Sequence, residues 1–146
     1  MAKQPGHPEL KHTPADPHLL LVAEDDLDAQ ALAAGLRRRG WRVTQTNRAA
    51  TALALWESSG AQVALVQLDQ DRVAAMALMA AGCQLSPPRR AVALTRELAA
   101  ARLSPAIKQS LGVSGVVVRP CHVDAVNAAV VRAFDTVSRR VVGLGG

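Results

Sequence analysis

Four short apolar runs in this chain each stop at a polar residue, and longer amphipathic stretches separate them. That alternation limits the fold more than any other feature. Leu19-Leu20-Leu21-Val22-Ala23 runs into Glu24-Asp25-Asp26, and Val63-Ala64-Leu65-Val66 into Gln67. Ala91-Val92-Ala93-Leu94 ends at Thr95, and Val116-Val117-Val118 at Arg119-Pro120. Runs this short and this apolar fit strands covered on both faces, as in a parallel sheet. The pattern predicts strands over Leu19–Ala23, Trp41–Thr46, Gln62–Gln67, Arg90–Thr95 and Gly115–Val118. It predicts helices over Leu27–Arg39, Ala49–Ser59, Arg72–Ala81, Ser104–Leu111 and Val123–Val141.

The helices carry their own signals. Leu32 and Leu36 share a face of the first, and Arg37–Arg39 suit the negative end of its dipole. Ala52, Leu53 and Trp56 recur at helical spacing in the second, and Val73, Met76 and Met79 in the third. Gly40, Gly60 and Gly82 mark helix ends, and Pro105 sits at a permitted first-turn position. Strands alternating with helices imply βαβ units with right-handed crossovers, hence a three-layer α/β sandwich. Active groups in such sheets gather outside the carboxyl ends of the strands. Glu24, Asp25, Gln67, Thr95 and Arg119 all fall on that edge.

The 146 residues fit one domain: a Pro- and His-rich leader over 1–18, a folded unit over 19–141 and a tail or linker start over 142–146. The leader lacks the apolar core of a signal peptide, and no apolar run reaches the roughly 20 residues of a membrane span. A cytoplasmic location without membrane contact is expected. Cys83 and Cys121 form no ligand cluster and read as free thiols. The net charge of +5 is scattered, and one Phe with no Tyr gives no stacking platform, so direct nucleic-acid binding is not expected. The turn after the first strand is acidic, not Gly-rich, which argues against a nucleotide or flavin site.

In order and spacing these segments resemble a bacterial response-regulator receiver domain from about Leu19 to Phe134. Leu-Leu-Val-Ala-Glu-Asp-Asp over 20–26 is similar to the family's first strand with its acidic pair. Gly40-Trp41-Arg42-Val43, followed by Ala49-Ala50-Thr51-Ala52-Leu53, is similar to the second strand and helix, and Arg119-Pro120 stands where the family has Lys-Pro. The resemblance implies a doubly wound (βα)5 flavodoxin/CheY-like fold, with a parallel five-stranded sheet in the order 2-1-3-4-5. It also implies a chemistry in which paired carboxylates hold Mg²⁺, an aspartate accepts a phosphoryl group, and a Ser/Thr and a Lys read it. Glu24 and Asp25 match the acidic pair, Thr95 the hydroxyl and Arg119 the lysine. Gln67 matches the phosphoacceptor, and its amide is a poor nucleophile without charge. Val116 replaces the family's aromatic switch.

The expected function is therefore a regulatory domain of the two-component type that acts by protein contact without phosphorylation and is not an enzyme. Its partners would be a sensor kinase, an output domain or another regulator. The alternative is a working receiver in which the third strand runs two residues further and Asp69 accepts the phosphoryl group with Mg²⁺. Otherwise Asp69 reads as a solvated loop acid. No cofactor is required, and Glu24 and Asp25 are the candidate Mg²⁺ ligands, set against a helix-capping role for the acidic run. Arg119 is expected to reach Asp25 or Glu24 and fill the metal position, because a guanidinium engages carboxylates in paired hydrogen bonds. Val126, Val130, Val137 and Val141 recur along the last helix. From Val126 through Val130 to Phe134 the stripe reads first as core, while Val137 and Val141 lie beyond the expected cover of the sheet. The four valines are the candidate interface of a homodimer through helix four, strand five and helix five.

Overall fold

The computed structural model describes residues 17–96, 104–119 and 121–145, with side chains described as far as Val137. Most of the 1–18 leader lies outside the described residues. The strands are β1 (His18–Val22), β2 (Arg42–Thr46), β3 (Val63–Gln67), β4 (Arg90–Thr95) and β5 (Val113–Val118). The helices are α1 (Leu27–Arg38), α2 (Ala49–Ser59), α3 (Arg72–Gly82), α4 (Pro105–Ser110) and α5 (Val123–Gly145). All strand pairs are parallel, in the order β2-β1-β3-β4-β5. The order reverses at β1, which places the topological switch between β1 and β3.

Period-two alternation splits the apolar strand residues between two cores. Leu19, Leu21, Leu65, Val92 and Leu94 pack with Ala29, Ala33 and Leu36 of α1 and with Val126, Ala129, Val130 and Ala133 of α5. Leu20, Val22, Ala64, Val66, Ala91 and Ala93 pack with Ala52 and Trp56 of α2 and Ala75, Leu78 and Met79 of α3. β1 and β3 are buried throughout, whereas edge strand β2 exposes Arg42 and Gln45. On α2, Trp56 is fully buried and its indole N–H donates to the Ala61 carbonyl at 3.0 Å. A Cβ on Gly82 would meet the Trp56 ring at 2.1 Å, so only glycine lets α3 approach α2 so closely.

Helix starts follow local chemistry. Asp26 caps α1 through the Ala29 N–H at 2.8 Å, Asp71 caps α3 through Ala74, and Ser104 caps α4 through Ile107. Gly60 ends α2 in the left-handed region at φ 75°.

Four expectations need correction. β5 starts at Val113, two residues before the expected Gly115. Its register slips there, because Ser114 bulges out between Val113, opposite Ala91, and Gly115, opposite Val92. Val73, expected in the core, is 81% exposed, because the phase of α3 turns Ala75, Leu78 and Met79 inward instead. α5 continues to Gly145, so 142–145, expected as a tail or linker start, are helical. Val126 and Val130 are fully buried, and Val137 is only 5% exposed. These three are not a docking surface, since α5 packs over β3, β4 and β5 and its apolar stripe is spent within the chain. The side chain of Val141 lies outside the described residues.

Candidate functional site

The carboxyl ends of β1, β3, β4 and β5 converge on one edge, as the parallel topology requires. Gln67 is the last residue of β3 and is 4% exposed. Its side-chain Oε1 accepts the backbone N–H of Glu24 at 2.8 Å. This bond ties the end of β3 to the turn after β1, and it satisfies the carbonyl half of a buried amide that would otherwise be costly.

Pairing with β4 goes one step past the strand, since the Leu68 N–H donates to the Leu94 carbonyl at 2.8 Å. Leu68 is buried, and the chain then turns and brings Asp69 back over the end of β4. The Thr95 hydroxyl donates to Asp69 Oδ1 at 2.6 Å, and the Arg96 N–H donates to Asp69 Oδ2 at 2.7 Å. Asp69 is therefore not a solvated loop acid. Thr95 itself is fully buried. Only the alternative reading of Asp69 as phosphoacceptor pointed to this contact, which depends on the β3–β4 register and on the turn that follows.

The acidic run divides by direction. Glu24 and Asp25 are exposed, and Asp25 accepts a hydrogen bond from the Gln30 side chain at 3.1 Å. Asp26 and Asp28, at the cap and first turn of α1, face two arginines. Arg119 is 7% exposed, and its Nη2 lies 3.3 Å from Asp28 Oδ2 and 3.9 Å from Asp26 Oδ1. Arg96 Nη2 lies 3.5 Å from Asp28 and 3.6 Å from Asp26. Arg119 does turn inward to an acid pair, but the pair is Asp26 and Asp28, not Glu24 and Asp25. The phase of α1 decides this: its first turn aims those two carboxylates across to β5. Asp28 and Arg96 were not legible as site residues. Their only signal was position, one in a helix's first turn and one directly after Thr95.

These positions do not suit a divalent cation. No group of three or more His, Cys, Asp or Glu gathers in metal-binding geometry among the described residues. Glu24 and Asp25 point to solvent, Asp69 is committed to Thr95 and Arg96, and Asp26 and Asp28 already face cations. Beside Arg119, burial pushes the Cys121 thiol up, more than the nearby guanidinium charge pulls it down. The thiol stays protonated at neutral pH and is a weak nucleophile. Both cysteines are unpaired.

No protein-family model matches the sequence, and no curated protein sequence matches it. Solved structures do match. One is a sensor protein from Polaromonas sp. JS666, with 21% identity and a TM-score of 0.71, over 83% of this chain and 98% of that one. Another is a response regulator from Burkholderia pseudomallei solved with a phosphorylated aspartic acid, a calcium ion and citrate. It shows 26% identity and a TM-score of 0.66, over 90% of this chain and 74% of that one. A third is a CheY-like receiver domain protein from Methanospirillum hungatei JF-1, with 16% identity and a TM-score of 0.72, over 86% of this chain and 99% of that one. The site therefore stands on the flavodoxin-like fold of response-regulator receiver domains, five parallel strands in the order 2-1-3-4-5.

Proposed function

We propose that this chain is a receiver-type signalling domain that works by protein–protein contact without phosphoryl transfer. The observation that carries the reading is the pair of commitments at the sheet edge. Gln67 stands where the resemblance puts the acceptor, and its amide oxygen already takes the Glu24 N–H. The Thr95 hydroxyl, which the resemblance assigns to reading the phosphate, already donates to Asp69. An amide oxygen carries no charge to attack phosphorus. A carboxylate with a hydrogen bond on each oxygen is a weakened nucleophile, since those bonds favour the charged form it already has.

The Asp26–Arg119 and Asp28–Arg119 pairs support the same reading, because a fixed guanidinium holds charge where a transient cation would otherwise be needed. Partners of the expected kind are a sensor kinase, an output domain or another regulator. The face formed by α4, β5 and α5 remains the candidate contact surface or homodimer face, with Ile107 of α4 exposed. No helix among the described residues is long and apolar enough to cross a membrane. A cytoplasmic location belongs to the same proposal.

A second reading keeps Asp69 as a phosphoacceptor, favoured by its contact with Thr95. The two separate in a backbone amide NMR spectrum recorded with and without Mg²⁺ and acetyl phosphate. The first reading expects the Thr95, Arg96 and Asp69 signals to stay in place. Shifts confined to those three would establish the second.

A further inference from the structure

Arg119 has more donors than partners. A guanidinium offers five N–H donors. Yet Nη1 and Nη2 of Arg119 are buried and make no hydrogen bond among the described residues. What they have is the ion-pair approach to Asp28 at 3.3 Å and the longer one to Asp26 at 3.9 Å. A buried charge this poorly satisfied calls for an anion beyond those two.

The cavity that Arg119 lines lies between α1 and the junction of β5 with α5, and measures about 340 Å³. That is within the range of about 300–1,000 Å³ usual for small-molecule sites. Arg119 and Asp28 lie together beside the first turn of α1 and Arg38 at its last turn, with Ala31, Leu32, Gly35 and Val123 lining the space between. Neither Gln67 nor Asp69 lines this cavity, whose inner end is formed by Arg119 and Asp28 of the sheet-edge site.

From this layout we infer that the cavity binds a small organic carboxylate with a short apolar body. The carboxylate engages Arg119 in the place of Asp28, and the hydrocarbon lies along Ala31, Leu32 and Val123. Asp28 is the group displaced. Its side chain is 70% exposed, and Arg96 at 3.5 Å is ready to keep it, so the exchange leaves no carboxylate unpaired. Burial of hydrocarbon sets the preferred ligand: each methylene removed from water raises affinity about fourfold.

Isothermal titration of the full chain with acetate, butanoate, hexanoate and inorganic phosphate tests this. Affinity is expected to climb along the carboxylate series by up to about fourfold per methylene, with phosphate weaker than hexanoate. Arg119→Met keeps the volume and removes the charge, and should cost hexanoate more than tenfold. Ala31→Trp fills the cavity from an exposed helix position and should abolish binding. Should Arg119→Met fail to fold, Ala31→Trp and the chain-length series decide. A flat series, phosphate binding as tightly as hexanoate, or hexanoate binding unchanged in either variant would overturn the inference.

Discussion

Replacing Asp69 with alanine measures how firmly the sheet edge is closed. The substitution removes the acceptor of two short hydrogen bonds, one from the Thr95 hydroxyl at 2.6 Å and one from the Arg96 N–H at 2.7 Å. Their environments differ. Thr95 is fully buried, so its hydroxyl loses a charged acceptor where water does not readily replace it, at a cost of about 1–3 kcal/mol. Arg96 is exposed, so its N–H turns to water and loses only about 0.5–1 kcal/mol. The sum is about 1.5–4 kcal/mol, or a fall in Tm of roughly 5–15 °C for a domain of this size. Asp69→Asn should give a similar loss, because its NH₂ group would face a donor. Thermal unfolding of wild type, Asp69→Ala, Thr95→Val and the double variant closes a cycle. The expected coupling is about 1 kcal/mol. A loss under about 0.5 kcal/mol, with strict additivity, would mean that Asp69 is an ordinary surface acid and that the reasoning is wrong.

Gln67→Ala should cost about 1–2 kcal/mol in urea unfolding, because it strips the Glu24 N–H of its acceptor and leaves a small void beside β1. Stability should fall in mild acid through His18. Burial, helped by the Arg42 charge, holds the folded-state imidazole below its ordinary value, so the unfolded chain binds more protons as pH drops below about 6.5. The His18 contribution is present above that pH and is lost as pH falls through the lower folded-state value. Thermal scans from pH 8 to 5 should show this fall reduced in His18→Gln. Val130→Ala should cost about 2 kcal/mol, two buried carbons at roughly 1 kcal/mol each, with no change of oligomeric state in light scattering.

The sheet was legible because its signal is local. A parallel strand covered on both faces must be apolar along its length, and Leu19–Val22 and Val63–Val66 are. The start of α1 was legible for the same reason, since Asp26 caps within three residues of itself, whereas the caps Asp71 and Ser104 emerged only in the structure. The site was legible only as a set of strand ends. Which carboxylate Arg119 would meet depends on the rotation of α1, and neighbouring acids on one turn face different ways. The partnership of Asp69 with Thr95 spans 26 residues and exists only once β3 and β4 are in register. For α5, spacing identified the apolar stripe, but how far the sheet covers it is a matter of packing.

Intact-mass analysis after incubation with Mg²⁺ and acetyl phosphate, beside an Asp69→Asn control, bears most directly on the central claim. The account predicts no added phosphate mass on either protein. A phosphate adduct on the wild type that is lost in the control would make Asp69 a working phosphoacceptor and contradict it.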